Sequence, residues 1–321
     1  MNTLKANLDK LDQVNSVLTN GKGEYFSVDE VNYDKYPISA ETISIAMTTH
    51  NRSRQLYFTL DTIAKSQRHK NVQVILVDDS SDDKIVLDKL VSYPFAITFI
   101  QINRDKKCWH NPCVNYNIGF QHIKGTKVII QNGEVCHVGD VLTTLDNIQD
   151  GKYYVYDVKA SKDFQANNQI YDAIKQSSAG MLDISIYGKP ALYAQWYQHI
   201  QHRNANYHFL TACTKATFDK IGGFSMDYAF GSAYDDDDFV LKIKQTGTTI
   251  QNMCHDRNNN NCGGIHLFHK ISGESWDTKE QNITILHKKR NYMARTGKYI
   301  EISTGATITE KLAKYNELNT Y

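Results

Sequence analysis

The chain has 321 residues, 41% hydrophobic and 22% charged, with a net charge of +1 and a pI of about 7.6. This is a globular composition, long enough for one large domain or two small ones, and it excludes the clearly basic surface that a nucleic-acid partner needs. No apolar run approaches the roughly 20 residues of a membrane span, and the polar start from Met1 to Asn7 lacks the apolar core of an export signal. A cytoplasmic location is therefore expected, with peripheral attachment the one membrane role left open. The six cysteines are expected to be reduced. Cys254 and Cys262, which flank an Asn-rich loop, would bridge only in an exported chain.

Residues 1–40 are polar, with weak helical periodicity at Leu4, Leu8, Leu11, Val14 and Leu18, which predicts a short N-terminal helix and then a linker. Thr42 to Met47 is a strand by its β-branched content. A loop from Thr48 to Arg52 leads into an amphipathic helix from Gln55 to Lys65. Val72 to Val77 is a buried strand that runs into Asp78-Asp79-Ser80-Ser81-Asp82-Asp83 and a helix to about Val91. Ala96 to Ile102 is a third strand, Asn115 to His122 a helix, and Lys127 to Ile130 a fourth core strand ending in Gln131-Asn132-Gly133-Glu134. Residues 151–205 are Tyr-rich and give no clear pattern. A second structured block covers Phe209 to Lys215 and Gly222 to Gly247, and the tail beyond Ile271 is helical and polar.

This alternation predicts an α/β fold, Rossmann-like, whose mostly parallel central sheet carries helices on both faces. Polar residues at the C-terminal ends of such strands line a ligand crevice. Thr48, Thr49, Asn51 and Arg52 follow one strand, and Asp79 and Ser81 follow the next. Asp and Thr there can bond a base and a ribose, and Arg52 can meet a phosphate. Asp-Ser-Ser-Asp is also a good helix N-cap, and both roles can hold at once. Asp235-Asp236-Asp237-Asp238 lies between Tyr234 and Phe239. Carboxylates this close repel, so solvent, a helix N-terminus, a cation or a proton-transfer task must hold them together.

Four segments together resemble glycosyltransferase family 2. Ser44 to Arg52 is similar to that family's V-S-V-V-I-P-T-Y-N-R, Val74 to Asp82 to V-V-D-D-x-S-x-D, and Asn117-Ile118-Gly119 to A-R-N-x-G. Gly222-Gly223-Phe224 through Asp235 to Phe239, Lys242 and Gly247 resembles G-G-F-D-E followed by E-D-x-D-L-x-x-R and a glycine. The order is conserved from Ile43 to Gly247. The resemblance implies a GT-A fold, with a nucleotide-sugar half at 41–150, an acceptor half at 151–270 and a C-terminal helical extension at 271–321. It also implies a hexosyl- or N-acetylhexosaminyl-transferase that moves a sugar from a UDP-sugar to a hydroxyl of a glycan or other acceptor, with Mn²⁺ or Mg²⁺ on the diphosphate.

By this resemblance the donor contacts are Thr48, Thr49, Asn51, Arg52, Asp79, Ser81, Asn117, Asn132 and Gly223. Asp236 takes the position of the general base of inverting members, with Asp235 beside it. A general base works best with its pKa near the working pH, and neighbouring carboxylates push a carboxyl upward. Asp237 and Asp238 are expected to cap the helix or face solvent. The family's Asp-x-Asp is missing. Asn132-Gly133-Glu134 aligned there keeps one carboxylate, whereas Gln131 and Gly133 in the same places would leave none. Gly264 to His269 resembles G-H-V-F-R of polypeptide N-acetylgalactosaminyltransferases, which makes His266 a metal ligand with Glu134 and Asn132, and His269 the lesser candidate. Trp196 and Phe224 are candidate aromatic platforms for an acceptor sugar, core packing being the alternative. Retention of configuration, or a binding module without turnover, are the competing readings.

Overall fold

A computed structural model describes residues 2–176, 181–253, 261–270 and 276–320. In chain order its first half comprises α1 (Asn2–Asn20), β1 (Phe26–Val31), β2 (Ile43–Thr49), α2 (Ser53–Ala64), β3 (Val72–Asp78), α3 (Leu87–Val91), β4 (Ala96–Ile102), α4 (Cys113–Phe120), β5 (Lys127–Asn132) and β6 (Val135–Val138). Then follow β7 (Lys152–Tyr156), β8 (Val158–Ser161), α5 (Phe164–Gln176), β9 (Tyr193–Gln198), β10 (Leu210–Thr214), α6 (Lys215–Ile221), α7 (Asp235–Gln245), β11 (Thr249–Met253), β12 (Gly263–His266), α8 (Trp276–Thr296) and α9 (Ile308–Thr320).

The large sheet runs β1-β4-β3-β2-β5-β10-β7-β11, and a smaller one runs β6-β12-β8-β9. The four strands foreseen from sequence, β2 to β5, pair in parallel. Every residue of β3 is buried, as a central strand covered on both faces requires. Alternate side chains of β2 divide between the faces: Ile43, Ile45 and Met47 pack with Leu56, Leu60 and Ile63 of α2, while Ala46 joins the cluster that holds α4. Sequence order reverses between β2 and β5, so the crevice above their C-terminal ends is a topological switch point, where open α/β sheets bind ligands.

Two features depart from the sequence expectation. Residues 26–31, read as linker, form edge strand β1, which pairs antiparallel with β4. The unpatterned stretch 151–205 supplies β7, β8, α5 and β9, and with β8 and β9 two of the four strands of the small sheet. β10 pairs antiparallel with β5, Leu210 opposite Gln131, which delivers residues 207–209 to the same crevice. β12 pairs antiparallel with β6, His266 opposite Val135, which sets His266 beside Glu134.

The chain ends pack on one another. Val14 and Val17 of α1 are fully buried in the main core, and Leu11 packs with Tyr292, Ile300, Ile302 and Leu318. Asn15 Nδ2 donates to Ser303 O (2.9 Å), and Lys311 Nζ pairs with Asp12 (2.6 Å). α8 is fastened from within: Lys289 Nζ, fully buried, lies 2.9 Å from Asp227 Oδ2 and 3.3 Å from Asp238 Oδ1. Asp238, expected at a cap or in solvent, is therefore a core carboxylate. It also accepts from Tyr299 (2.6 Å) and Tyr228 (3.1 Å). A buried charge without its partner is far costlier than the pair. Lys289→Met, which strands both carboxylates, should lower unfolding free energy by about 3–5 kcal/mol in urea titrations. A loss within the error of the titration would mean that the pair contributes nothing to holding α8.

Candidate active site

The loops after β2 and β3 latch together. Asn51 takes a left-handed backbone (φ 52°), and Asn is among the non-glycine residues that tolerate it best. Its Oδ1 accepts from Asp82 N (2.7 Å) and Asp83 N (3.2 Å), and its own N–H donates to Ser81 Oγ (2.8 Å). Ser81 in turn donates to Asp78 Oδ1 (2.5 Å). Asn51 and Ser81, expected to touch donor, are thus engaged in shaping the crevice. Asp79 is paired with Lys107 (2.8 Å) at its edge. Thr49 Oγ1 is buried with no hydrogen-bond partner, and the Thr48 carbonyl accepts from Gly133 N (3.2 Å). A Cβ on Gly133 would stand 2.8 Å from that carbonyl oxygen, so only glycine lets the two loops approach.

Across the switch point, Glu134 is buried with Oε1 2.6 Å from Arg52 Nη1, 3.2 Å from His266 Nε2 and 3.5 Å from His269 Nε2. Burial works against its charge, but Arg52 and the two imidazoles outweigh it and hold the carboxyl well below the usual range. Glu134, His266 and His269 offer ligand atoms within 4.8 Å of one another, and Glu134 Oε2 has no hydrogen-bond partner. One carboxylate and two imidazoles make a mixed oxygen and nitrogen donor set for a divalent ion, and the unpartnered Oε2 is the atom such an ion would satisfy. Asn132 turns its Oδ1 to the Tyr116 hydroxyl (3.3 Å), and His269, the lesser candidate by sequence, stands in the cluster. Gln131 is engaged elsewhere, with Val135 O (3.0 Å) and His137 (2.8 Å), so the register that gives it an acidic position is not supported. A cavity of about 440 Å³ opens alongside, lined by His50, Arg52, Arg54, Tyr171, His269 and Lys270 and, among the described residues, by no carboxylate.

The acid run opens α7, where the helix dipole favours it. Ala233 and Tyr234 before it are both left-handed (φ 60° and 68°), a strained approach for non-glycine residues. Asp235 is buried and accepts from Asn111 Nδ2 (3.1 Å). Burial, reinforced by the Asp236 charge, pushes its carboxyl up to about 7. Asp236 is partly exposed and sets Oδ1 against Nδ1 of the buried His208. Burial disfavours a charged His208, but Asp236 overrides it and raises the imidazole pKa, and Asp235 and Glu134 act on the same ring. Tyr116 links the acid run to the Glu134 turn: its ring meets His208 edge-on at 4.8 Å and its hydroxyl donates to Asn132 Oδ1 (3.3 Å).

A family model described as glycosyl transferase family 2 matches residues 44–221. The chain belongs to glycosyl transferase family 2. No curated protein sequence matches it. Among solved structures, Staphylococcus aureus TarS superposes with a TM-score of 0.50 at 12% identity, over 86% of this chain and 42% of TarS. This chain thus spans less than half the length of that protein. TarS residues 1–349 in complex with UDP match at TM-score 0.46 and 12% identity, over 86% and 78% of the two chains. The mannosyltransferase PcManGT from Pyrobaculum calidifontis, in complex with GDP-Man and Mn²⁺, matches at 0.43 and 15%, over 88% and 72%. At such identities the likeness speaks for the GT-A fold alone.

Three family positions lead away from the crevice. Asn117 is buried, donates Nδ2 to Phe224 O (2.8 Å) and accepts from Phe224 N (2.8 Å), so it clamps α4 to the 222–226 turn instead of reaching a donor. Gly223 lies under that clamp, where a Cβ would come within 2.3 Å of Asn117 Oδ1. Phe224 is a core ring, 2% exposed and stacked on Phe239 at 4.4 Å, which rules out an acceptor platform. Trp196 lies in β9, edge-on to Tyr187 at 5.5 Å with Lys159 4.6 Å from its ring. His208 stands in no motif of the sequence, since its place comes from the β5–β10 pairing. The Cys254–Cys262 bridge involves a position outside the described residues.

Because the Asp235 carboxyl titrates near 7 when folded and near 4 when unfolded, the folded state binds the extra proton between those values. Stability from this group is present at low pH and is lost as pH rises through about 7. Asp235→Asn removes the titration and still accepts from Asn111. Its melting temperature should gain on the parent protein progressively from pH 5 to pH 8, by an amount equivalent to a few kcal/mol (on the order of the linkage free energy). A gap that does not vary with pH would show that the buried carboxyl does not titrate there.

Proposed function

We propose that this family 2 glycosyltransferase moves a hexosyl or N-acetylhexosaminyl group from a UDP-sugar to a hydroxyl of a glycan or glycoconjugate, with inversion and with Mn²⁺ or Mg²⁺. The observation that carries the reading is Glu134 set among two imidazoles and Asp236 set against His208, with Tyr116 bridging from His208 to Asn132. The unpartnered Thr49 hydroxyl and Asp79 supply polar contacts for the nucleoside. The cation-lined cavity beside Arg52 suits a diphosphate. Glu134, His266 and His269 would hold the metal. When bound, a divalent cation offsets the negative charge that builds on a departing diphosphate.

Asp236 Oδ2 takes the proton of the acceptor hydroxyl as that oxygen bonds to the anomeric carbon. The bond to the diphosphate breaks on the opposite side, and its electron pair leaves with UDP. Burial pushes the Asp235 carboxyl up, which lessens the charge the run carries beside Asp236.

A panel of UDP- and GDP-sugars, incubated with Mn²⁺ or with EDTA and followed by released nucleotide, tests the class. Release from one UDP-sugar that EDTA abolishes is expected. Silence in the presence of acceptors, with UDP still bound in calorimetry, would leave a binding module. Asp236→Asn should keep UDP affinity and lose at least about 10²-fold in turnover, and full activity would sink the base assignment. An α-linked product from an α-linked donor would overturn inversion. His269→Ala should weaken Mn²⁺ binding by about 10- to 100-fold, read by calorimetry in the presence of UDP. An unchanged affinity would remove His269 from the ligand set.

A further inference from the structure

The acid run contains carboxylates at consecutive positions, and only one oxygen of one of them needs to meet substrate. An Asp side chain turns about two bonds, so a base in such company needs something to fix its direction. Asp236 has Oδ1 buried and set against His208 Nδ1, while the side chain as a whole remains 26% exposed. His208 has no room to turn. Tyr116 of α4 meets its ring edge-on at 4.8 Å and Phe224 at 4.8 Å. The next residue, Phe209, is tied to β5 through its carbonyl, which accepts from Asn132 N (3.4 Å).

We propose that His208 is a positioning residue for this base: by holding Oδ1 of Asp236, it leaves Oδ2 as the oxygen that faces the cleft and takes the acceptor's proton. The inference rests on Asp236 being the base. The titratable groups acting on the imidazole are Asp235 and Asp236 of α7 and Glu134 at the β5–β6 turn, and the Tyr116 ring of α4 packs against it while the Tyr116 hydroxyl donates to Gln131 O (2.9 Å). All three carboxylates favour its protonated form, in which Nδ1 carries a proton against Oδ1. Their neighbour Asp237 does not compete for His208, because it is held by Tyr207 (2.8 Å) and Arg290 (2.6 Å). The protonated ring balances the Asp236 charge before transfer. During transfer the acceptor's proton goes to Oδ2, the sugar's bond to the diphosphate breaks, and UDP carries off the electron pair.

The test compares His208→Phe, which keeps a ring and loses Nδ1, with His208→Gln, which keeps a donor that does not titrate. His208→Phe should lose kcat by on the order of 10²-fold, as misplacement of a reacting group does, with the KM for donor unchanged. The parent enzyme should lose kcat on the alkaline side as His208 deprotonates, and His208→Gln should recover part of the His208→Phe loss and lack that fall. Parent-like kcat in His208→Phe would overturn the proposal. So would parallel losses of kcat and melting temperature in both variants with the parent pH profile, which is what a packing role alone gives. If His208→Phe does not fold, the imidazole Cε1–H titration followed by NMR in the parent and in Asp236→Asn decides. The midpoint should move to lower pH in Asp236→Asn, and an unmoved midpoint would overturn the pairing. Full activity in Asp236→Asn would fail the base assignment itself, whereas an inactive Asp236→Asn beside a normal His208→Phe would fail only the positioning role.

Discussion

Glu134 is a carboxylate in a place that charges avoid. Its burial at the switch point of the large sheet demands polar partners within reach, and they arrive from two directions: Arg52 from the loop after β2, and His266 and His269 from β12 and the residues after it. That demand joins the two sheets. Leu267 N donates to Glu134 O (2.9 Å) alongside the side-chain contacts, so the small sheet is aligned on the turn that carries the acid. The crevice, the cationic cavity beside it and the unpartnered Oε2 all follow from placing a single negative charge where the parallel strands end.

The acid run shows how a fold tolerates four adjacent carboxylates. Each has a different partner: Asn111 for Asp235, His208 for Asp236, Tyr207 and Arg290 for Asp237, and Lys289 with two tyrosines for Asp238. Helical geometry rotates successive side chains by about 100°, so the acids point to different neighbours and their repulsion is divided among separate environments. The same division gives each a separate task. Asp238 faces inward and holds α8, Asp237 is held at the rim by Tyr207 and Arg290, Asp235 is buried with its carboxyl pushed up, and Asp236 is partly exposed with Oδ1 set against His208.

Much of this was legible in the sequence, for stated reasons. Strands β2 to β5 are buried on both faces, so they read as apolar runs without ambiguity, and their ends carried the expected polar residues. Glu134, Arg52 and His266 were named from short segments whose spacing is local. Other features depend on partners far away in the chain. β1 has little pattern of its own and is a strand because β4 offers it an edge. Asn117 matches a family motif, yet its amide is closed off by the backbone of Phe224. Asp238 reads as a helix-cap acid until Lys289, 51 positions later, lies against it. His208 gains its place only when β10 lies antiparallel on β5. Local periodicity records which face of an element is apolar, but it holds no record of which distant polar atom that face will meet.

The Lys289 contact also has a consequence in time. Asp227 and Asp238 lie in the interior, and their counter-ion comes from α8, after every element of the large sheet has been made. During synthesis the sheet can assemble while these two carboxylates are still unmatched, so the start of α7 has reason to remain open to water until residue 289 has left the ribosome. The acid run would then set only once the chain is almost complete. A fragment that stops short of α8 could carry every motif of the family and still lack an ordered acid run.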